Sequence, residues 1–332
     1  PPRSTLFPYT TLFRSPFTPI NAGPDLSACG SVTLAATLPW PSVPHQWSVV
    51  SGSGTFSDAT NPNAFVTGLA PGVNVFQWTV DYGTCGVSTD QVTVTNYSTS
   101  QASANAGPDQ NLCGGTTATL AGNTVTAPAV GTWTLVSGTG TITSPNSPTS
   151  GVTGLGIGQN RFRWSVDNGP CSGVTFDDVF ITVYNSALAT ANAGPDQSIC
   201  TPTSSVTMNA SAAPAPASGQ WTVVSGSGGF TNSNSATTTV VGIPVGVHVY
   251  RWTVNNGPCG SSQDDVTVTV YDSSSPSANA GTDQQVCGTT ATLTGSAPIF
   301  PSSGTWTVVS GGGTITNANS PFTTVTGMSI GT

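Results

Sequence analysis

Short runs of strictly alternating apolar and polar residues recur along the chain. In residues 73–80, Phe76, Trp78 and Val80 point one way while Gln77 and Thr79 point the other. That period of two belongs to a strand with one buried face. In residues 266–270 the valines Val266, Val268 and Val270 share a face and Thr267 and Thr269 take the opposite one. Between such runs stands Asn-Gly, in DNG and NNG. It signals a hairpin, because both residues tolerate the positive φ of a tight turn. The phrase TWTVVSG reads as a third strand closed by a Ser/Gly turn, its tryptophan and second valine on one face.

These elements come in sets. The phrase stands as HQWSVVSGSG at 45–54, GTWTLVSGTG at 131–140, GQWTVVSGSG at 219–228 and GTWTVVSGGG at 304–313. NAGPD begins at Asn21, Asn105 and Asn192, and NAGTD at Asn279, in steps of 84, 87 and 87 residues. Trp47, Trp133, Trp221 and Trp306 keep the same rhythm. A second tryptophan, Trp78, Trp164 or Trp252, lies in FQWTVDYG, FRWSVDNG and YRWTVNNG, and a closing run follows: DQVTVTNY, DDVFITVY or DDVTVTVY. The fourth set stops at Thr332, before its second tryptophan.

A period of this length exceeds the roughly 20–50 residues of a solenoid coil or propeller blade. It suits a β-sandwich of about 100 residues. The expected architecture is therefore all-β: tandem immunoglobulin-like sandwiches arranged as an extended string. The expected divisions are a leader at 1–15, repeats at 16–99, 100–187 and 188–274, and a truncated repeat at 275–332. The seven recurring tryptophans are the expected core, each burying roughly 150–250 Å² between facing sheets. The joining segments NYSTSQAS, YNSALAT and YDSSSPSA are short and hold little glycine, which makes neighbouring repeats each other's first partners.

Composition sharpens this picture. The chain has no Glu and no Lys, and only 5% of it is charged, against about 25% in a typical domain. It lacks the usual exposed helix formers and is rich in strand and turn formers. Eight Trp and twelve Phe argue against disorder. A net charge of −8 argues against a nucleic-acid partner. No apolar run reaches the length of a membrane span. Residues 5–15, TLFPYTTLFRS, resemble the in-frame translation of a DNA-sequencing adapter. With that leader go Arg3 and Arg14, and the absence of a visible signal peptide then says nothing about location.

The succession AGPDQ, Cys, TLAG, GTWT-VSG, TGL, RW-V-NGPC, DDVTVTVY resembles the PKD-like, immunoglobulin-like repeats of large secreted surface proteins of Bacteroidota. The resemblance covers residues 19–332. It implies an extracellular β-sandwich array, of the kind found in adhesins and cell-surface stalks. Such arrays often precede a type IX secretion, gliding-motility-associated sorting domain, which this chain does not contain.

Each full set holds two cysteines, one after AGPD and one after the Asn-Gly turn: Cys29 and Cys85, Cys113 and Cys171, Cys200 and Cys259. Cys287 has no second member in its set. Disulfides suit an oxidising compartment. The preferred pairing is Cys29–Cys85, Cys113–Cys171 and Cys200–Cys259, with Cys287 left unpaired by truncation. It requires each first cysteine to lie beside the start of the last strand. Pairing between successive cysteines such as Cys85 and Cys113 would span roughly 40 Å of strand and linker. The rivals are buried free thiols and a zinc site, which wants a CxxC pair or nearby histidines.

Other candidate chemistry is sparse. Asp25, Asp109, Asp196 and Asp283 recur in AGPD or AGTD. They are weak Ca²⁺ candidates, the plainer reading being an Asx turn. His45 and His248 fall at different places in their repeats, so no triad or metal centre converges on them. GLGIG at 154–158 lacks the strand-then-helix context of a nucleotide loop. Arg163 with Asp178, Arg251 with Asp265 and Gln77 with Gln91 occupy matching positions, the mark of a cross-strand contact. Without lysine, lysine–asparagine isopeptide staples cannot form.

The functional expectation is a non-enzymatic spacer, stalk or adhesin region of a secreted or cell-surface bacterial protein, with no cofactor. One alternative is a module that binds surface glycan or matrix, with Trp40 in LPWPSVP the tryptophan to test. The other is an accessory region of a secreted enzyme.

Overall fold

The computed structural model describes residues 19–37, 42–188, 190–274, 277–329 and 331. Trp40 and the leader at 1–15 lie outside the described residues. The described chain is all-β, with two single 3₁₀ turns and no α-helix among the described residues.

The first set of strands is β1 (Leu26–Ala28), β2 (Val32–Thr33), β3 (His45–Ser51), β4 (Thr55–Phe56), β5 (Phe65–Thr67), β6 (Gly72–Asp81) and β7 (Val87–Asn96). They form a four-stranded sheet ordered β1-β7-β6-β3 and a three-stranded sheet ordered β2-β5-β4. The second set is β8 (Gln110–Cys113), β9 (Thr117–Thr119), β10 (Val130–Ser137), β11 (Thr141–Ile142), β12 (Gly151–Thr153), β13 (Gly158–Asp167) and β14 (Val174–Tyr184). The third is β15 (Gln197–Cys200), β16 (Ser205–Asn209), β17 (Ser218–Ser225), β18 (Gly229–Phe230), β19 (Thr237–Val241), β20 (Gly246–Asn255) and β21 (Ser261–Tyr271). Both repeat the same four-plus-three arrangement. After them β22 (Ala291–Thr294), β23 (Thr314–Ile315) and β24 (Phe322–Thr326) make only the smaller sheet. Residues 304–309, which carry the repeated phrase, form no strand there.

The alternation seen in the sequence sets the inward faces. Phe76, Trp78 and Val80 of β6 are buried, as are Val266, Val268 and Val270 of β21. The two tryptophans of a set sit directly opposite each other on neighbouring strands of one sheet: Trp47 and Trp78, Trp133 and Trp164, Trp221 and Trp252. Their ring centroids are 5.0, 5.0 and 5.2 Å apart in tilted pairs, a geometry that suits the ring quadrupoles. All six are buried, and each indole N–H finds an oxygen, as Trp78 does at Thr37 (3.2 Å) and Trp252 at Ser211 (3.0 Å). Trp306, alone in its set, is only half-buried.

The valines of the phrase behave differently from expectation. A β-bulge falls between Val49 and Ser51, Leu135 and Ser137, and Val223 and Ser225. The extra residue breaks the alternation, and Val49, Val50, Val223 and Val224 are all exposed. The bulge delivers the Ser/Gly turn onto a buried polar side chain of the second-tryptophan strand. Asn74 accepts from the Ser53 N–H at 2.9 Å, Asn160 from the Thr139 N–H at 2.8 Å, and His248 Nδ1 from the Ser227 N–H at 3.1 Å. His248 Nε2 then donates to the Pro244 carbonyl at 2.9 Å, so this histidine is a satisfied core residue in the place of an asparagine. The last glycine of the phrase is fixed by close approach: a Cβ on Gly54 would lie 2.8 Å from the Phe76 ring.

By contact the chain forms two compact units. One takes the chain up to Gln110 with Thr116–Gly156 and Asn160–Ile181. The other takes Asn111–Gly115, Ile157–Gln159 and the chain from Thr182 onward. Within the first, Ala22, Leu34, Trp47, Phe76, Trp78 and Val94 belong to one core cluster. Within the second, Met208, Trp221, Tyr250, Trp252 and Val268 belong to another.

Candidate functional site at the repeat junctions

The most distinctive chemistry lies where one set of strands meets the next. In the first set β1 runs parallel to β7, with Leu26 opposite Val94 and Ala28 opposite Asn96. Cys29 therefore lies beside the exit of β7, where the Tyr97 N–H donates to the Ala28 carbonyl at 2.9 Å. In the second set Gly114, next to Cys113, donates to the Tyr184 carbonyl at 2.8 Å. In the third, Cys200 stands opposite Tyr271. Each strand cysteine is thus held beside a tyrosine at the end of its set.

The other half of the junction is a hairpin turn. Gly169 donates to Asp167 Oδ1 at 2.9 Å and Gly257 to Asn255 Oδ1 at 3.0 Å, Asx turns that present Cys171 and Cys259 at the tips. The halves meet in two disulfides, Cys29–Cys171 with Cα atoms 5.1 Å apart and Cys113–Cys259 with Cα atoms 4.8 Å apart. Around them Asn168 Nδ2 donates to the Ser98 carbonyl at 3.0 Å, and Asn256 Nδ2 to the Asn185 carbonyl at 2.8 Å. The Tyr97 ring lies over Gly169 and the Tyr184 ring over Gly257, where a Cβ would come within 2.7 and 2.5 Å. Only glycine admits that contact at these positive φ values.

The pairing corrects the sequence expectation of Cys29–Cys85, Cys113–Cys171 and Cys200–Cys259. The cause is the parallel register of the first strand. It carries Cys29 to the far end of β7, while Cys85 lies at the near end, a ten-residue strand away. That strand spans about 33 Å, against the 4.4–6.8 Å usual between bridged Cα atoms. Each bond joins a strand cysteine to the turn of the following set. Cys85, Cys200 and Cys287 are free and exposed.

The remaining candidates have structural partners. Asp25, Asp109 and Asp196 each accept a backbone N–H from the last strand, of Thr93, Phe180 and Thr267, at 2.8–2.9 Å. They pin the first strand to the last. The Asx turn of the motif is made instead by its asparagine, as Asn21 Oδ1 accepts from Gly23. Among the described residues Asp283 has no such partner, and no group of three His, Cys, Asp or Glu side chains could hold a metal ion. His45 packs on Trp78 at 5.2 Å. In GLGIG, Gly154 turns the chain between β12 and β13.

The cross-strand pairs are made. Gln91 donates to Gln77 at 3.0 Å. Arg251 pairs with Asp265 through two bonds of 2.7 and 2.9 Å. Arg163 holds Asp178 through two bonds of 2.9 and 3.1 Å, and Arg161 joins them. The hydrogen bond from Arg163 lowers the Asp178 pKa to about 2. Arg163 also lies 3.9 Å from the centroid of the Phe176 ring. These contacts were legible in the sequence. The junction tyrosines and asparagines were not singled out, although a tyrosine near the end of every last strand and the repeated Asn-Gly-Pro-Cys of the second and third sets carried the signal.

Residues 193–270 match a PKD domain family, that of the KIAA0319-like proteins. The match spans the third set of strands, from its entry to the end of β21. The chain is thus a tandem array of immunoglobulin-like, PKD-like β-sandwiches. Among solved structures it is similar to the PKD domain of the KIAA 1837 protein, at 32% identity over 28% of this chain and 96% of that one, with a TM-score of 0.24. It is similar to a PKD domain of human KIAA0319, at 27% identity over 27% of this chain and 88% of that one, with a TM-score of 0.24. An I-band fragment of titin is 11% identical over 74% of this chain and 94% of that one, with a TM-score of 0.37. No curated protein matches the chain. No helix among the described residues is long and apolar enough to cross a membrane.

Proposed function

We propose that the chain is a non-catalytic spacer or adhesin stalk of a secreted or cell-surface bacterial protein, built from repeats at 16–99, 100–187, 188–274 and 275–332. The observation that carries this reading is the pair of disulfides between successive repeats. A bond inside a sandwich stabilises that sandwich. A bond between sandwiches restrains the angle between them, which serves a device whose product is reach. Disulfides and the PKD family match support an extracellular location. The resemblance to Bacteroidota repeats supports export by a type IX route.

The test is small-angle scattering on the wild-type chain and on Cys29→Ser/Cys171→Ser. A stalk predicts that losing the bond broadens the distance distribution while each sandwich stays folded by near-ultraviolet circular dichroism. An unchanged distribution overturns the reading.

A second reading, contact with a surface glycan or matrix, draws on the exposed pairs Val49–Val50, Leu135–Val136 and Val223–Val224. They recur on edge strands β3, β10 and β17.

A further inference from the structure

We infer that the fourth repeat is an acceptor for a β-hairpin of this repeat's own kind, carrying a tryptophan on its first strand and a cysteine in its turn. Two separate observations call for that one ligand.

The first is a cavity of about 260 Å³ beside Trp306, lined among others by Asn279, Ala280, Gly295, Ser296 and Gly304. In the complete repeats this place holds the second indole. The Trp78 N–H donates to the Thr37 carbonyl, Trp164 to Asn123 Oδ1 and Trp252 to the Ser211 carbonyl. Ser296 is their counterpart, because its N–H binds the Asn279 carbonyl at 2.9 Å as Asn123 binds Asn105 and Ser211 binds Asn192. Gly131 and Gly219 lie under the second indole, where a Cβ would come within 2.2 Å of the ring. Gly304 holds the same position, and the nearest atom to its Cβ place is Pro298 at 3.9 Å. Backbone groups agree with the side chains. In the complete repeats the last strand supplies an aspartate to Ala22, Ala106 and Ala193. It also supplies an N–H to Asp25, Asp109 and Asp196. Ala280 and Asp283 are the counterparts of these receiving positions.

The second observation is Cys200. It is exposed, free and held opposite Tyr271. Its counterparts Cys29 and Cys113 are bonded to the turn cysteine of the following repeat. The turn that would answer Cys200 belongs to the same hairpin that would bring an indole to Trp306.

The occupant is a hairpin not already folded, and not a second copy of this chain. The equivalent hairpins here bury Trp78, Trp164 and Trp252 in their own cores. Releasing one costs about 3–5 kcal/mol for the indole alone.

The experiment offers the full chain a peptide of residues 246–271, its cysteine capped as a glutathione mixed disulfide. The Cys200 thiolate attacks the peptide sulfur, the peptide–glutathione bond breaks, and glutathione leaves as its thiolate. Peptide mapping by mass spectrometry should find the adduct at Cys200 more than about tenfold faster than at Cys85 or Cys287. The same peptide with Trp252→Ala should lose that preference, as should a chain with Gly304→Val. Equal labelling of the three thiols, or a preference indifferent to Trp252→Ala, overturns the inference. So do dimers of the chain that form without peptide and block labelling, because they assign the seat to a second copy.

Discussion

Asp178 shows how a single carboxylate can tie a strand face together. Arg161 and Arg163 both reach it across the β13–β14 hairpin, and it is 13% exposed. Its folded pKa is about 2, below the usual 3.8. A lowered carboxylate pKa means that the unfolded chain takes up the proton first as the pH falls. The contribution to stability is therefore complete above about pH 4 and vanishes as the pH passes down through about 2. Both arginines are about one-third exposed, so solvent screening holds it to about 1–2 kcal/mol. Thermal melts of wild type and Asp178→Asn should differ near neutral pH and converge toward pH 2; a constant gap at every pH would refute this linkage. The pairing was readable from the sequence because Arg163 and Asp178 change together with Arg251 and Asp265, and with Gln77 and Gln91.

At the scale of the element, alternation told which face of β6 or β21 turns inward, because the pleat has a period of two. It did not tell that Val50 bulges out, since a bulge leaves no mark in a short apolar run. Nor did it reveal the disulfide pairing. That depended on β1 running parallel to β7, and no residue of AGPD announces a parallel strand. The Asn-Gly turn was recognised as a hairpin, but its second task, to lie under a tyrosine of the preceding repeat, depends on packing between repeats. Gly257 tests this. Gly257→Ala places a Cβ within 2.5 Å of the Tyr184 ring at a φ of +55°. We expect thiol titration to find Cys113 and Cys259 partly free beside Cys85, Cys200 and Cys287. Gly83→Ala, at a φ of +64° in the first repeat's turn with nothing within 4 Å, should leave the titration unchanged. Equal effects of the two substitutions would show that the tyrosine contact does not hold the junction together.

Across the whole molecule, the staggered bonds decide which parts of the chain feel a pull. Tension applied at the two ends enters near Asn21, reaches Cys29 and crosses directly to Cys171, 142 positions later. The intervening residues, which include most of two sandwiches, hang as a slack loop off the taut path. At about 3.3–3.6 Å per residue, that loop hides roughly 500 Å of contour. Single-molecule stretching should therefore release this length only when reductant is present, and early release without reductant would show that the bond does not bear the load. Such a tether would protect its first sandwiches from being drawn out by flow or by a moving surface, and would leave the later ones to yield first.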